Sequence, residues 1–174
     1  MLRPLAFFFA LFAALPPPIW RAEAPSAEVC VTPGDDCAAR LVKLLDRAQR
    51  EILVQAYSFT SAHIAKALRD AHKRGVVVTV ILDKSQRTQK YSSADFLAHA
   101  GIPTYIDAEH AISHNKVMLI DNATIVTGSF NFTRAAQEKN AENLLIFRGD
   151  QKLLQRYREN FEIHKRHSVR YEGR

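Results

Sequence analysis

The chain has 174 residues, of which 47% are hydrophobic and 24% are charged, and it contains only 6 glycines and 7 prolines. These values are ordinary for a globular protein and exclude a collagen-like or intrinsically disordered chain. The length fits a single domain, and no internal repeat or low-complexity segment interrupts it. A formal net charge of +6 favours a polyanionic partner, although many basic proteins bind no nucleic acid.

The N-terminus has the pattern of an export signal. Arg3 precedes the apolar run Leu5–Leu15, three prolines end that run, and Ala22-Glu23-Ala24 gives a small-x-small cleavage pattern. Pro25 disfavours a cut directly after Ala24, so the scissile bond stays open. The apolar run is shorter than the roughly 20 residues of a membrane-spanning helix. We therefore expect residues 1–24 to be a signal peptide and the mature protein to be periplasmic or secreted, without stable membrane insertion. An uncleaved N-terminal anchor is the alternative.

Two cysteines, Cys30 and Cys37, agree with export. In an oxidising compartment an even, closely spaced pair usually forms a disulfide. This bridge would join the first predicted strand to the start of the first predicted helix. Two free thiols are the alternative, and no second pair of cysteines exists to complete a zinc site.

After the signal, strand patterns and helix patterns alternate along the chain. The predicted strands are Glu28–Thr32, Ile52–Tyr57, Val76–Leu82, Pro103–Ile106, Lys116–Ile120, Ala123–Gly128 and Ala141–Phe147. The predicted helices are one that begins after Asp35 or Asp36, then Ser61–Arg74, Ser92–Ala100 and Asp150–His164. This order predicts an α/β domain with a central mixed β-sheet flanked by helices on both sides.

The segment from His114 to Asn131, HNKVMLIDNATIVTGSFN, carries the most specific pattern in the chain. Six residues stand in the spacing H-x-K-x4-D-x6-G-S-x-N, namely His114, Lys116, Asp121, Gly128, Ser129 and Asn131. At about 1 in 20 per position, six fixed residues match by chance only about once in tens of millions of windows. The pattern is therefore a strong indication of function.

The residue types suit phosphodiester chemistry. A neutral imidazole such as that of His114 can attack phosphorus and form a covalent intermediate. The ammonium of Lys116 and the amide of Asn131 can stabilise the charge on the phosphoryl oxygens. The turn at Asp121-Asn122 predicts a hairpin that brings Ser129 and Asn131 back to His114, and Asp121 also suits that turn on structural grounds alone. No carboxylate or His/Cys set at metal-ligand spacing accompanies this motif, so we expect no metal. We expect ordinary surface or core roles for the other six histidines, which are His63, His72, His99, His110, His164 and His167.

Two further elements are candidates for the site. Tyr57-Ser58-Phe59-Thr60 follows a predicted central strand, where ligands of open α/β sheets bind, so Ser58 is a candidate substrate-binding residue; a simple strand cap is the alternative. Glu142 lies eleven residues after Asn131, and a carboxylate there could hold one nitrogen of the histidine and leave the other free to attack. A charge at the edge of a strand is the alternative for Glu142.

The motif, together with YSFT, TGSFNFT and KNAENLL, resembles the phospholipase D superfamily, and most closely its single-motif bacterial endonucleases. The resemblance runs from about Val29 to the last helix and implies a phospholipase D/nuclease-like catalytic domain over residues 25–164. It implies His114 as nucleophile, Lys116 and Asn131 as phosphate ligands, Ser129 and Glu142 as supporting groups with Glu142 orienting the histidine, and Asp121 in a more distant supporting role. It implies no cofactor. The basic residues 165–174 depart from the family and are expected to form a C-terminal tail.

A single copy of the motif supplies only one catalytic histidine per chain. The leaving alkoxide needs a proton donor, and a second histidine is the natural candidate. Because the chain has one H-x-K, we expect a homodimer in which the partner supplies the second His114. The sequence thus predicts a metal-independent phosphodiesterase, foremost a sequence-nonspecific endonuclease acting on DNA and possibly on RNA as well. The alternatives are a phospholipase D that hydrolyses lipid head groups and a nucleic-acid-binding module with a vestigial site.

Overall fold

The structure is a computed structural model that describes residues 24–174. The predicted signal peptide therefore lies outside the described residues, apart from Ala24. Eight strands form one sheet: β1 Ser26–Thr32, β2 Glu51–Ala56, β3 Val77–Asp83, β4 Thr104–Asp107, β5 Lys116–Ile120, β6 Thr124–Gly128, β7 Glu142–Arg148 and β8 Val169–Tyr171. The helices are α1 Cys37–Arg47, α2 Ala62–Lys73, α3 Ala94–His99, α4 Arg134–Glu138 and α5 Gln151–His167, and a short 3₁₀ helix covers Lys84–Arg87.

The sheet is mixed, with the strand order β1-β7-β6-β5-β2-β3-β4-β8. Strands β2, β3 and β4 are parallel, whereas β5 runs antiparallel to β2, β6 to β5 and β7 to β6. The ends of β2, β3, β4 and β6 and the starts of β5 and β7 therefore meet at one edge, which we call the carboxyl edge. Every segment of the predicted site except Asp121 lies at this edge.

Helices cover both faces of the sheet, as the sequence predicts. On one face, α5 packs Leu154 and Phe161 against residues such as Leu53, Ile81 and Leu119. On the other face, the larger core cluster includes buried residues of α1, α2, α3 and α4. Strands β2 and β3 are buried on both faces, which explains why their sequences are continuous apolar runs rather than alternating ones. This burial gives the carboxyl edge a rigid base.

The cysteine pair forms the expected bridge. A disulfide joins Cys30 in β1 to Cys37, the first residue of α1. Asp36 caps this helix, because its side chain accepts a hydrogen bond of 2.9 Å from the backbone N–H of Ala39, which decides between the two candidate caps. For so short a loop, the bridge contributes about 2 kcal/mol to stability in the chain-entropy model. The disulfide also points to an oxidising compartment.

The basic C-terminal end differs from the expectation of a tail. Helix α5 continues to His167, and its last turn contains His164, Lys165, Arg166 and His167, as favoured by the negative end of the helix dipole. Val169–Tyr171 then pair antiparallel with β4, and the Tyr171 hydroxyl donates a hydrogen bond of 2.5 Å to Asp95. The last ten residues thus belong to the domain, and the predicted boundary at residue 164 is wrong. Within residues 24–174, no helix is both long and apolar enough to span a bilayer.

Candidate active site

A tight hairpin builds the first part of the site. Asp121 and Asn122 have φ values of +56° and +55°, as the central positions of a type I′ turn require. The N–H of Ala123 closes the turn on the Ile120 carbonyl at 3.0 Å. Strand β5 therefore begins at the carboxyl edge with Lys116, and β6 returns there with Gly128. The hairpin predicted from the sequence is confirmed.

His114 and Lys116 differ sharply in exposure. The His114 side chain is exposed to solvent, whereas Lys116 is only 7% exposed. The Lys116 Nζ donates a hydrogen bond of 2.9 Å to the carbonyl of His114. Burial lowers the pKa of the Lys116 ammonium, and the negative charge of Glu142 partly opposes this shift. A nearly buried cation beside an exposed imidazole is typical of a functional site, because lysine is rarely buried for structural reasons.

Tyr57 forms one wall around this pair. Its ring centroid lies 4.6 Å from that of His114, and the Lys116 Nζ lies 5.1 Å from the Tyr57 ring centroid. The N–H of Tyr57 also donates a 2.8 Å hydrogen bond to the carbonyl of Asn115. Tyr57 therefore packs against the imidazole and offers a cation–π contact to the ammonium.

The start of β7 packs closely against the end of β6. Gly128 has φ +135°, and a Cβ atom there would collide with the backbone oxygen of Asn143, so only glycine fits. The Ser129 hydroxyl donates a 2.6 Å hydrogen bond to Glu142 and accepts one of 3.0 Å from the N–H of Asn143. The other Glu142 oxygen accepts a 2.9 Å hydrogen bond from Asn140. These hydrogen bonds hold the Glu142 side chain in place at the pocket.

Asn131 carries an unpaired polar atom into the site. Its Oδ1 is buried and makes no hydrogen bond to any residue in the described part of the chain. Unpaired buried polar atoms cost stability and are unusual in native structures. The free Oδ1 is an acceptor and could take a hydrogen bond from a donor such as water, whereas the N–H groups of the same amide are the ones that could donate to phosphoryl oxygens.

These side chains share one open pocket of about 450 Å³. Its lining consists of His114, Lys116, Gly128, Ser129, Asn131 and Glu142. The pocket combines an exposed nucleophile, a buried cation, an amide and a carboxylate, which are the groups that a phosphodiester reaction through a phosphohistidine needs. Five of the predicted site residues thus meet at the carboxyl edge.

Comparisons with known proteins agree with this arrangement. A family model described as cardiolipin synthase, PLD-like domain matches residues 41–165, more than two thirds of the chain. The phospholipase D of Rickettsia conorii is 42% identical over 132 residues, which are 76% of this chain and 66% of the rickettsial protein. The chain belongs to the phospholipase D superfamily.

A relative with lower sequence identity also matches. The mitochondrial cardiolipin hydrolase of Homo sapiens is 31% identical over 131 residues, which are 75% of this chain and 52% of the human protein. The chain thus spans just under two thirds of the rickettsial phospholipase D and about half of the human hydrolase.

Two solved structures superpose on most of the chain. Nuc from Salmonella typhimurium, a phospholipase D family member, superposes with a TM-score of 0.82 at 36% identity, over 86% of this chain and 100% of Nuc. NucT from Helicobacter pylori superposes with a TM-score of 0.79 at 23% identity, over 85% of this chain and 100% of NucT, which shows a shared fold.

Two expectations for the supporting residues need correction. Ser58 is not among the residues that line the pocket, whereas its neighbour Tyr57 contacts His114. Glu142 makes no hydrogen bond to His114 in the described part of this protomer, since Ser129 and Asn140 engage its two oxygens. Sequence reasoning also missed the hydrogen bond from Asn140 to Glu142. Asn140 lies two residues before Glu142, so its side chain could have been expected on the same side of the chain.

Asp121 lies at the other end of β5, away from the pocket. Its carboxylate accepts backbone hydrogen bonds from Gln49, Arg50 and Glu51 at 2.9, 2.7 and 3.1 Å, which ties the hairpin turn to the start of β2. Burial by itself would raise the pKa of Asp121, but these three donors and the charge of Arg50 lower it overall. Asp121 therefore stabilises the hairpin turn from outside the pocket, and any effect of this residue on catalysis stays a prediction.

Replacing Asp121 by asparagine should lower the stability of the protein and leave kcat unchanged. Asparagine tolerates positive φ, so the turn survives, whereas the loss of the charged acceptor should lower the free energy of unfolding by about 2 kcal/mol. The pKa of Asp121 is lower in the folded protein than its ordinary value of 3.8. The charged carboxylate therefore stabilises the fold at pH values above 3.8, and this stabilisation is lost as the pH falls through the lower pKa of the folded state. Urea unfolding at pH 7 and at pH 3 should therefore show a smaller difference between variant and wild type at pH 3. A fall in kcat for the folded variant would instead place Asp121 in the chemistry.

Proposed function

We propose that this protein is an exported, metal-independent phosphodiesterase, and specifically a sequence-nonspecific endonuclease that cleaves DNA and also accepts RNA. The pocket that joins exposed His114, nearly buried Lys116 and the amide of Asn131 carries the proposal. Lys116 occupies the position in which a metal nuclease would place a cation.

The reaction divides into two displacements. In the first, an imidazole nitrogen of His114 attacks phosphorus, a P–N bond forms, and the P–O bond to the leaving alkoxide breaks. Lys116 and Asn131 stabilise the charge on the phosphoryl oxygens during this step. In the second, water attacks the phosphohistidine, the P–N bond breaks, and the phosphate monoester product leaves. Glu142, held by Ser129, keeps a negative charge near the ammonium of Lys116 and favours its protonated form.

Each displacement also needs a proton carrier. The leaving alkoxide takes a proton in the first step, and the attacking water loses one in the second, so a single group can act as acid and then as base. No second histidine lines the pocket among residues 24–174. We infer that the His114 of a partner copy fills this role in a C2 homodimer, because His114 is exposed and the pocket is open.

The charges around the pocket favour a nucleic acid. Exposed cations follow the strands that end at the carboxyl edge: Lys84, Arg87 and Lys90 after β3, and Arg134 and Lys139 on and after α4. Lys90 and Arg134 line one groove, and basic side chains at the same edge as a phosphodiester site match a polyanionic substrate. A zwitterionic lipid head group would gain less from this arrangement.

Phospholipid hydrolysis is the second candidate, and it has its own support. Next to the basic residues, Tyr91 is 78% exposed and Phe96 is 41% exposed, and both line a wider groove of about 790 Å³ that also contains Arg134. This apolar surface could contact acyl chains. Several relatives are named for lipid substrates, including phospholipase D and mitochondrial cardiolipin hydrolase.

A parallel substrate assay tests the proposal. Purified protein should nick supercoiled plasmid DNA and degrade single-stranded RNA, and should hydrolyse phosphatidylcholine or cardiolipin vesicles at least about tenfold more slowly. Excess EDTA added directly to the assay should leave the nuclease rate unchanged, because Lys116 rather than a metal stabilises the phosphoryl charge. His114→Asn protein, purified identically, is the control for contaminating nucleases.

Each other outcome of this assay has a defined meaning. Hydrolysis of either lipid without cleavage of DNA or RNA would establish the second candidate. Binding of DNA with no hydrolysis of any substrate would indicate a vestigial site. Loss of cleavage in EDTA that magnesium restores would contradict a metal-independent mechanism.

A further inference from the structure

Three histidines and an aspartate converge at the carboxyl edge, outside the pocket. Asp107 ends β4, His110 lies in the loop that follows, and His164 and His167 lie one turn apart on α5. We call these four residues the His3Asp cluster. Each residue offers one donor atom, and the four atoms lie within 4.8 Å of one another. The ring centroids stand 5.0, 5.2 and 5.3 Å apart, so the imidazoles form a nearly equilateral triangle.

Hydrogen bonding alone does not account for this arrangement. His164 Nδ1 lies 2.7 Å from Asp107 Oδ2, and the Asp107 side chain is fully buried. His167 Nε2 lies 3.3 Å from Asp107 Oδ1, yet this buried nitrogen makes no hydrogen bond to any residue in the described part of the chain. One carboxylate thus faces two imidazole nitrogens and satisfies only one of them, which leaves a lone pair or N–H group without a partner.

We propose that the His3Asp cluster is a structural zinc site. Imidazole nitrogen and carboxylate oxygen are ordinary zinc ligands, and four of them complete a tetrahedral shell. Bond lengths of about 2.0–2.1 Å place neighbouring donors about 3.4 Å apart, which small side-chain rotations reach from the observed spacing. The carboxylate already accepts a 3.2 Å hydrogen bond from the N–H of Glu109, as an oriented metal ligand requires. With four protein ligands the site has no open position for substrate or water.

The site would fix the loop that leads into the catalytic histidine. His110 and His114 lie in the same segment between β4 and β5. The Asp83 carboxylate already holds the second half of this loop through a 2.8 Å hydrogen bond from the N–H of Ser113. Lys84 donates a 3.0 Å hydrogen bond to the carbonyl of His110. A metal at His110 would join the first half of the loop to β4 and α5, and would stabilise the fold without taking part in the chemistry at His114.

Metal binding by the full mature chain tests this site. The metal-free protein should bind one zinc ion per chain, and Co²⁺ in its place should give the intense visible absorption of tetrahedral coordination. Zinc at about a hundred times its Kd should raise the thermal midpoint by about 5–10 °C. His110→Ala and His167→Ala should each weaken zinc binding at least about tenfold, since even the loss of an outer hydrogen-bond partner has an effect of that size. The exposed α2 histidine, changed as His63→Ala, is the matched control.

The outcomes separate this proposal from the catalytic one. Zinc binding that is equal in wild type, His110→Ala and His167→Ala would overturn the site, as would an absence of binding above that of a surface histidine. His110 is an exposed loop residue, so its variant should fold even if truncation of His167 destabilises α5. Because the readouts are stoichiometry, cobalt absorption and thermal midpoint, they stand whether or not the protein cleaves nucleic acid.

Discussion

His114→Asn should abolish phosphodiester hydrolysis, with a loss of kcat of at least about ten-thousandfold, because no other nucleophile can form the covalent intermediate. The side chain is exposed and makes no side-chain hydrogen bond within residues 24–174. The free energy of unfolding should therefore change by less than about 0.5 kcal/mol. Single-turnover cleavage of a labelled DNA duplex, together with urea unfolding of the same preparation, measures both quantities.

Two companion variants make this result specific. Lys116→Met keeps an unbranched chain of similar length but removes the charge, and it should slow cleavage by about a hundred- to a thousandfold, as does removal of one preorganised donor in other enzymes. His63→Asn, on the exposed side of α2, should retain the full rate. Near-wild-type turnover of His114→Asn would exclude a phosphohistidine at this position, whatever the Lys116 variant shows.

The local parts of the fold and site are predictable from sequence because their causes are local. The continuous apolar run VVVTVIL predicts a buried central strand, and β3 is buried on both faces. The Asp121-Asn122 turn sets the hairpin register, and this register brings Ser129 and Asn131 to Lys116. The Asp36 cap and the disulfide likewise depend on residues close together in sequence.

The parts that sequence reasoning missed depend on contacts between distant segments. Strand β8 has three residues, and only its pairing with β4 identifies it. Helix α4 has five residues, too few to show a helical period. The contact between Tyr57 and His114 likewise joins the end of β2 to the loop before β5. The histidines of α5 meet Asp107 and His110 only after the chain has folded.

Mixing wild-type chains with His114→Ala chains should lower activity more than dilution does. If the active unit is a C2 dimer with one shared site, sedimentation should give about twice the mass of the mature chain. After complete subunit exchange in an equal mixture, about half of the dimers are heterodimers that hold one histidine, and about a quarter are wild type. Heterodimers lack either the nucleophile or the proton carrier. The mixture should therefore retain about a quarter of the activity of pure wild-type protein at the same total concentration of chains.

A mechanism in which each protomer works alone predicts a different retained activity for the mixture. If each protomer works alone, the equal mixture retains about half of the activity, because the wild-type chains are merely diluted by inactive ones. A parallel mixture with His63→Ala chains should keep the full rate and shows that exchange itself does no harm. Half activity after proven exchange, or a fully active monomer, would mean that the proton carrier lies within one chain. Tyr57, whose ring stands 4.6 Å from that of His114, would then be the first side chain to test, since its phenol can donate and accept a proton.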